Sequence, residues 1–295
     1  MSCHCRGRFH LFREPAASDS MGFATIHLFF ALTQGVLSPI STRLGPSAPL
    51  DRGYRQMYNL EFSDAHNTFQ TYAKTHPEDP FGSTSDGAAY LFEEFNRLGV
   101  LQTELFTDDD KFKGRAKSLP DPKLREEFDG AIAQSQKVAD AILQRSPNDR
   151  NALFATVLNL GLQSDYLSLV ERRDLAALTY AKRAGLEAEK LLAIDSSCYD
   201  AYLAIGIENY ILGLNPAPVR WLLRLYGAKT DRESGIQKLQ LTATKGHYLL
   251  PYARLLLAVA ALRDKNRNQA KELLQNLAQE FPNNQLYRRE LLRLQ

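Results

Sequence analysis

The residues in this chain that could do chemistry are few and scattered. His66 and His76 fall on one predicted helix, but a ten-residue offset does not place them side by side. His76 precedes Pro77 at a helix end, where a cation meets the favourable end of the dipole. These two and His247 are therefore expected to be structural. Cys3-His4-Cys5 with His10 would gather soft ligands, yet Cys-x-Cys is tighter than zinc spacing and no second ligand pair follows, so no metal is expected. Glu93-Glu94 lies in an apolar helix with Tyr90, Leu91, Phe92, Phe95 and Leu98, which predicts that one of the two is partly buried. A lone carboxylate without a partner reads as a pairing residue, not a general acid. Asp108-Asp109-Asp110 lacks the spaced oxygens of a calcium loop and reads as a solvated loop. Gly227-Ala228-Lys229-Thr230 looks like the end of a phosphate-binding loop, but no strand and no earlier glycine precede it. Nucleophile-elbow, paired-histidine and dinucleotide motifs are absent from the sequence, so the expectation is a chain that binds, without cofactor, and does not catalyse.

Composition agrees with a packed protein of neutral balance. The 295 residues are 44% hydrophobic, and 36 Lys+Arg oppose 34 Asp+Glu, which leaves no basic stripe for a nucleic acid. Cys198 is the one cysteine in the body, so no internal disulfide framework is expected. Residues 1–20 carry Arg6, Arg8 and Arg13, and residues 21–40 are mostly apolar, the layout of a secretory signal. His27, Thr33 and Gln34 interrupt that apolar run and argue against a stable membrane span. The expectation is an exported, periplasmic or membrane-associated protein if bacterial, cleaved between Gly35 and Ser47, or a cytoplasmic one if the segment is no signal; Met21 is an alternative start that would strip away the basic region. Residues 1–48 then form a leader and linker, and residues 49–295 the body.

The elements that must position these groups repeat. Gly53, Ala65 and Pro77 are spaced twelve residues apart, and Ala258, Ala270 and Pro282 repeat that spacing. A small residue on each of two helices lets their backbones approach, and proline stops the second helix. Phe281-Pro282-Asn283-Asn284 and Ser146-Pro147-Asn148-Asp149 punctuate the chain in the same way. Helices are predicted over 121–144, where Asp121 caps and Pro122 starts the first turn, over 151–164 and over 174–192. At the end of this last helix Ser196 replaces the proline, which predicts a weaker stop. No segment alternates like a half-buried strand, so the fold class is all-α. The rhythm breaks near 99–119 and near 215–229, the latter holding Trp221, the single tryptophan.

This pattern resembles the tetratricopeptide repeat, a helix pair of about 34 residues stacked into a right-handed solenoid. The stretch Asp200-Ala201-Tyr202 with Ile205-Gly206, Tyr210 and Gly213 is similar to the family's first helix. Residues 174–262, with the Trp221 segment and Asp231-Arg232…Gly235…Leu239, resemble a eukaryotic tetratricopeptide family linked to inclusion-body clearance and the outer mitochondrial membrane. Thr230 before Asp231 departs from that family's pattern. The resemblance implies five helix pairs with a final capping helix after Pro282, and ligands bound on a concave face made by the first helix of each pair. Mapped onto this chain, that face holds Tyr54, Met57, Phe154, Leu158, Leu203, Ile207, Tyr210, Leu255 and Val259. Such an apolar face needs a cover, which is either a protein partner or the chain's own segment around Trp221. In the alternative, residues 216–226 form an interfacial helix that binds a lipid or membrane surface.

Overall fold

The computed structural model describes residues 44, 48–101, 119–213 and 231–294. The expected leader, the insertion at 102–118 and the segment around Trp221 lie outside the described residues. Among those described there is no strand. Eleven α-helices follow one another: α1 (Pro49–Tyr58), α2 (Phe62–Thr75), α3 (Phe81–Leu98), α4 (Pro122–Arg145), α5 (Arg150–Asp165), α6 (Asp174–Ile194), α7 (Tyr202–Gly213), α8 (Arg232–Lys245), α9 (Leu250–Arg263), α10 (Arg267–Glu280) and α11 (Gln285–Arg293). A π-turn, Tyr166–Val170, extends α5, and a 3-10 turn, Tyr199–Ala201, leads into α7.

Local sequence explains where the helices start and stop. The carboxylate of Asp121 accepts from the amides of Lys123 and Leu124, and Pro122 occupies the first turn, where its missing N–H costs nothing. Asp149, Asp231, Asn266 and Asn284 cap α5, α8, α10 and α11 in the same manner. After α2, α4 and α10 the chain makes one turn three times: the amide of Asp79 donates to the carbonyl of His76, Asp149 to Ser146, and Asn284 to Phe281, at 2.9–3.1 Å. Each turn carries proline in its second place. Asp195-Ser196-Ser197-Cys198 makes the same turn without it. There the Asp195 carboxylate accepts from the Ser197 amide and hydroxyl and from Arg150, so side chains supply the stop that proline supplies elsewhere.

Consecutive helices pack in adjacent pairs, and α1 lies on α3 and α3 on α5. The close approaches fall at small residues. A Cβ at Gly53 would lie 2.3 Å from the Phe69 ring. One at Gly235 would lie 2.6 Å from the Tyr210 amide nitrogen and 2.9 Å from the Gly206 carbonyl, so α7 and α8 touch backbone to backbone. Ala65, Ala258 and Ala270 are fully buried. Two ion pairs, one built on the buried Glu94 and one on the buried Arg254, stitch the stack. Glu94 binds Arg97 through both oxygens and accepts from the Asp121 amide, which ties the end of α3 to the start of α4. Arg254 reaches both Glu280 and the carbonyl of Ala243, joining α8, α9 and α10.

One set of contacts departs from a stack in which each repeat touches only its neighbours. The first helix meets the last third of the chain. Tyr58 donates through its hydroxyl to the carbonyl of Tyr248, Asp51 pairs with His247 at 2.8 Å, and Tyr54 stacks on Tyr248 with ring centroids 4.6 Å apart. On the other side, Asn284 donates to the carbonyl of Tyr58, and Asn283 binds Asn59 and Glu61. These partners are 190 to 226 residues apart in sequence. The molecule therefore closes α1 against the α8–α9 and α10–α11 connections.

Candidate binding pocket

The positions expected on the concave face separate into three groups. Tyr54 and Met57 from α1, Leu158 from α5, and Leu203 and Ile207 from α7 converge on one pocket. Phe154, Leu255 and Val259 do not line it. They are core residues, Phe154 packed on the Phe81 ring and Leu255 and Val259 buried along α9. Tyr210 turns away, its ring beneath the Arg232 guanidinium. Trp221 lies outside the described residues.

The pocket that Tyr54, Met57, Leu158, Leu203 and Ile207 share has a volume of ≈ 70 Å³. Tyr58, Ala88, Phe92, Val157, Leu162, Ala204 and Leu249 complete most of its apolar wall. Its polar features were not foreseen from sequence. Asp165, at the end of α5, faces the pocket, and its Oδ2 accepts from the Tyr252 hydroxyl at 3.1 Å. Burial pushes the Asp165 carboxyl up to about 7, against the hydrogen bond from Tyr252 that favours the ionised form. Asp200 also borders the pocket, but its carboxylate accepts from the amides of His247, Tyr248 and Leu249 and so holds the loop that presents Tyr252. The spacing that could have found Asp165 is present: Leu158, Leu162 and Asp165 recur at four and three residues, one stripe of a helix.

The histidines have partners the sequence did not disclose. His66 on α2 lies between Asp86 at 2.5 Å and Glu93 at 3.3 Å on α3. Burial alone would lower its pKa, but the hydrogen bonds and charges of Asp86 and Glu93 outweigh that and raise it. His76 rests on the carbonyl of Tyr72 at the end of α2. Glu94, one of the two carboxylates flagged in α3, is the fully buried one. Among the described residues no group of histidine, cysteine and carboxylate side chains could hold a metal ion, and no helix is long and apolar enough to cross a membrane.

Two roomier clefts lie elsewhere. One of ≈ 360 Å³ is bordered by Met57, Phe95, Arg97, Asn284 and Arg289. The other, of ≈ 380 Å³, is bordered by Gln70, Asp86, Tyr90 and Glu127. Neither gathers residues from as many helices as the inner pocket, which draws on α1, α3, α5, α6, α7 and α9. Compared with protein-family models, with curated proteins and with solved structures, the chain matches none.

Proposed function

We propose that this chain is a non-catalytic binding protein, a tetratricopeptide-type solenoid that engages a protein partner by admitting an apolar anchor of that partner to the inner pocket. The observation that carries the reading is the convergence of Tyr54, Met57, Leu158, Leu203 and Ile207 from three separate helices on one apolar cavity. Ligand sites in helical folds are built in this way, from side chains on facing helices with a few polar groups that fix orientation. Ile207, Ala204 and Leu162 are only half-buried and form the approach to the cavity. The membrane-surface alternative rests on residues 216–226, outside the described residues, and no described observation favours it.

A photo-crosslinking residue placed at Ile207, and separately at Leu186, which is 51% exposed away from the pocket, tests this in the native cell. The expected result is one discrete protein adduct from position 207 and none from 186. Equal labelling at both positions, or no protein adduct at 207, contradicts the reading, and a lipid adduct at 207 transfers the site to the lipid-binding alternative.

A further inference from the structure

We infer that His66 is a proton-operated clasp between α2 and α3: as the imidazolium it bridges Asp86 and Glu93, and on losing a proton it keeps Asp86 and releases Glu93. The inference does not depend on what the inner pocket binds. Nδ1 of His66 lies 2.5 Å from Asp86 Oδ1, and Nε2 lies 3.3 Å from Glu93 Oε2. An ionised carboxylate only accepts, and a neutral imidazole has one N–H, so both contacts are hydrogen bonds only when both ring nitrogens are protonated. The ring also stacks on Tyr90 with centroids 3.9 Å apart, where the face of the phenol attracts a positive charge. The charges that act on His66 are those of Asp86 and Glu93, both on α3. Glu127 of α4 reaches the same cluster through Tyr90.

The two contacts are unequal, and that decides which proton leaves. Asp86 is the closer carboxylate, its side chain is 10% exposed, and its second oxygen accepts from Gln70. Glu93 is farther away and 36% exposed, so water can take over its hydrogen bonds. Keeping the remaining proton on Nδ1 preserves the Asp86 bond and turns the Nε2 lone pair towards the Glu93 carboxylate, an acceptor facing an acceptor. Glu93 then turns to solvent, and α2 holds α3 here through His66 to Asp86 and through Gln70 to Asp86 and Tyr90. Burial alone would favour the neutral ring, but the two carboxylates outweigh it, so release comes as pH rises above the ordinary histidine range. Asp86 and Tyr90 border the ≈ 380 Å³ cleft that Glu127 also lines. The surroundings of that cleft become more negative by one charge when the clasp opens.

Nitrogen-15 chemical shifts of the His66 ring in the whole chain, followed from pH 5 to pH 10, read the clasp directly. The expected result is a ring protonated on both nitrogens at pH 6, a midpoint above the ordinary 6.5, and a neutral form that carries its proton on Nδ1. The side-chain carboxyl carbon of Glu93 should shift with the same midpoint, while that of Glu187, paired with Lys190 on α6, should not. Glu93→Gln should lower the midpoint. Asp86→Asn should lower it further, because the Asp86 hydrogen bond and charge support the imidazolium more than those of Glu93 do. If the Asp86 variant fails to fold, the tautomer and the Glu93 signal of the natural chain still decide. A midpoint at or below 6.5, a neutral form protonated on Nε2, or a Glu93 signal that ignores the transition overturns the clasp.

Discussion

Burial raises the carboxyl of Asp165 to about 7, while the unfolded chain releases the same proton near pH 4, so folding is linked to its protonation. A raised carboxylate favours the folded state only while protonated. Its contribution is complete below about pH 4, declines through the interval from 4 to 7, and is gone above it. Asp165→Asn should therefore stabilise the unliganded chain at pH 8, by an amount on the order of a few kcal/mol, with the difference closing towards pH 4. Thermal or urea unfolding at a series of pH values checks this, and a variant less stable at pH 8 would show the carboxylate to be compensated. Glu208 is raised to about 7 by burial as well, with Lys182 opposing, so Glu208→Gln should behave in the same direction. His66 follows the raised-base rule. The stability that its pairs with Asp86 and Glu93 contribute is complete below its ordinary pKa and lost as pH rises through the elevated folded value. The loss on His66→Gln should consequently be larger at pH 6 than at pH 9. The reverse order would contradict the ion pairs.

At the scale of elements, the sequence disclosed what is encoded locally. Caps, proline turns and the twelve-residue spacing of small residues each act over a few positions, and the helices begin and end within one or two residues of where Asp121, Asp149, Pro147 and Pro282 place them. The close contacts give a test with an internal control. Gly235→Ala would drive a Cβ into the Tyr210 and Gly206 backbones and should cost about 1–3 kcal/mol, as overpacked cores do. Ala270→Leu, at a fully buried position on α10, should cost a similar amount. Gly130 on α4 meets nothing within 4 Å, so Gly130→Ala should be neutral or stabilise by up to about 1 kcal/mol through helix propensity. Denaturation midpoints that do not separate these substitutions would place the helix contacts elsewhere. Phe154, Leu255 and Val259 were expected on an open face for a physical reason: an apolar stripe looks the same whether it faces a groove or a neighbouring helix. Asp165 escaped notice because a single carboxylate on such a stripe looks like a surface residue until the element covering it is known.

At the scale of the whole molecule, the feature that makes the pocket is the return of α1 onto the far end of the chain. Contacts spanning 190 to 226 residues leave no trace in local spacing, and no motif marks Tyr58 as a partner of Tyr248 and Asn284. Yet α1 needs them. It has ten residues and no side-chain cap, too short to hold its helix alone in water. Its stability comes from burying Tyr54, Met57 and Tyr58 between α3 on one side and the α8–α9 and α10–α11 connections on the other. Without α1 the pocket loses Tyr54, Met57 and Tyr58 from its wall. Native-state amide hydrogen exchange tests that closure most directly, because it reports the opening free energy of each helix. The account predicts that the amides of α1 exchange with the same free energy as those of α9, opening only when the molecule unfolds as a whole. Amides of α1 that exchange orders of magnitude faster than those of α9 would mean that the first helix frays independently and that the closed pocket is not the resting state of the protein.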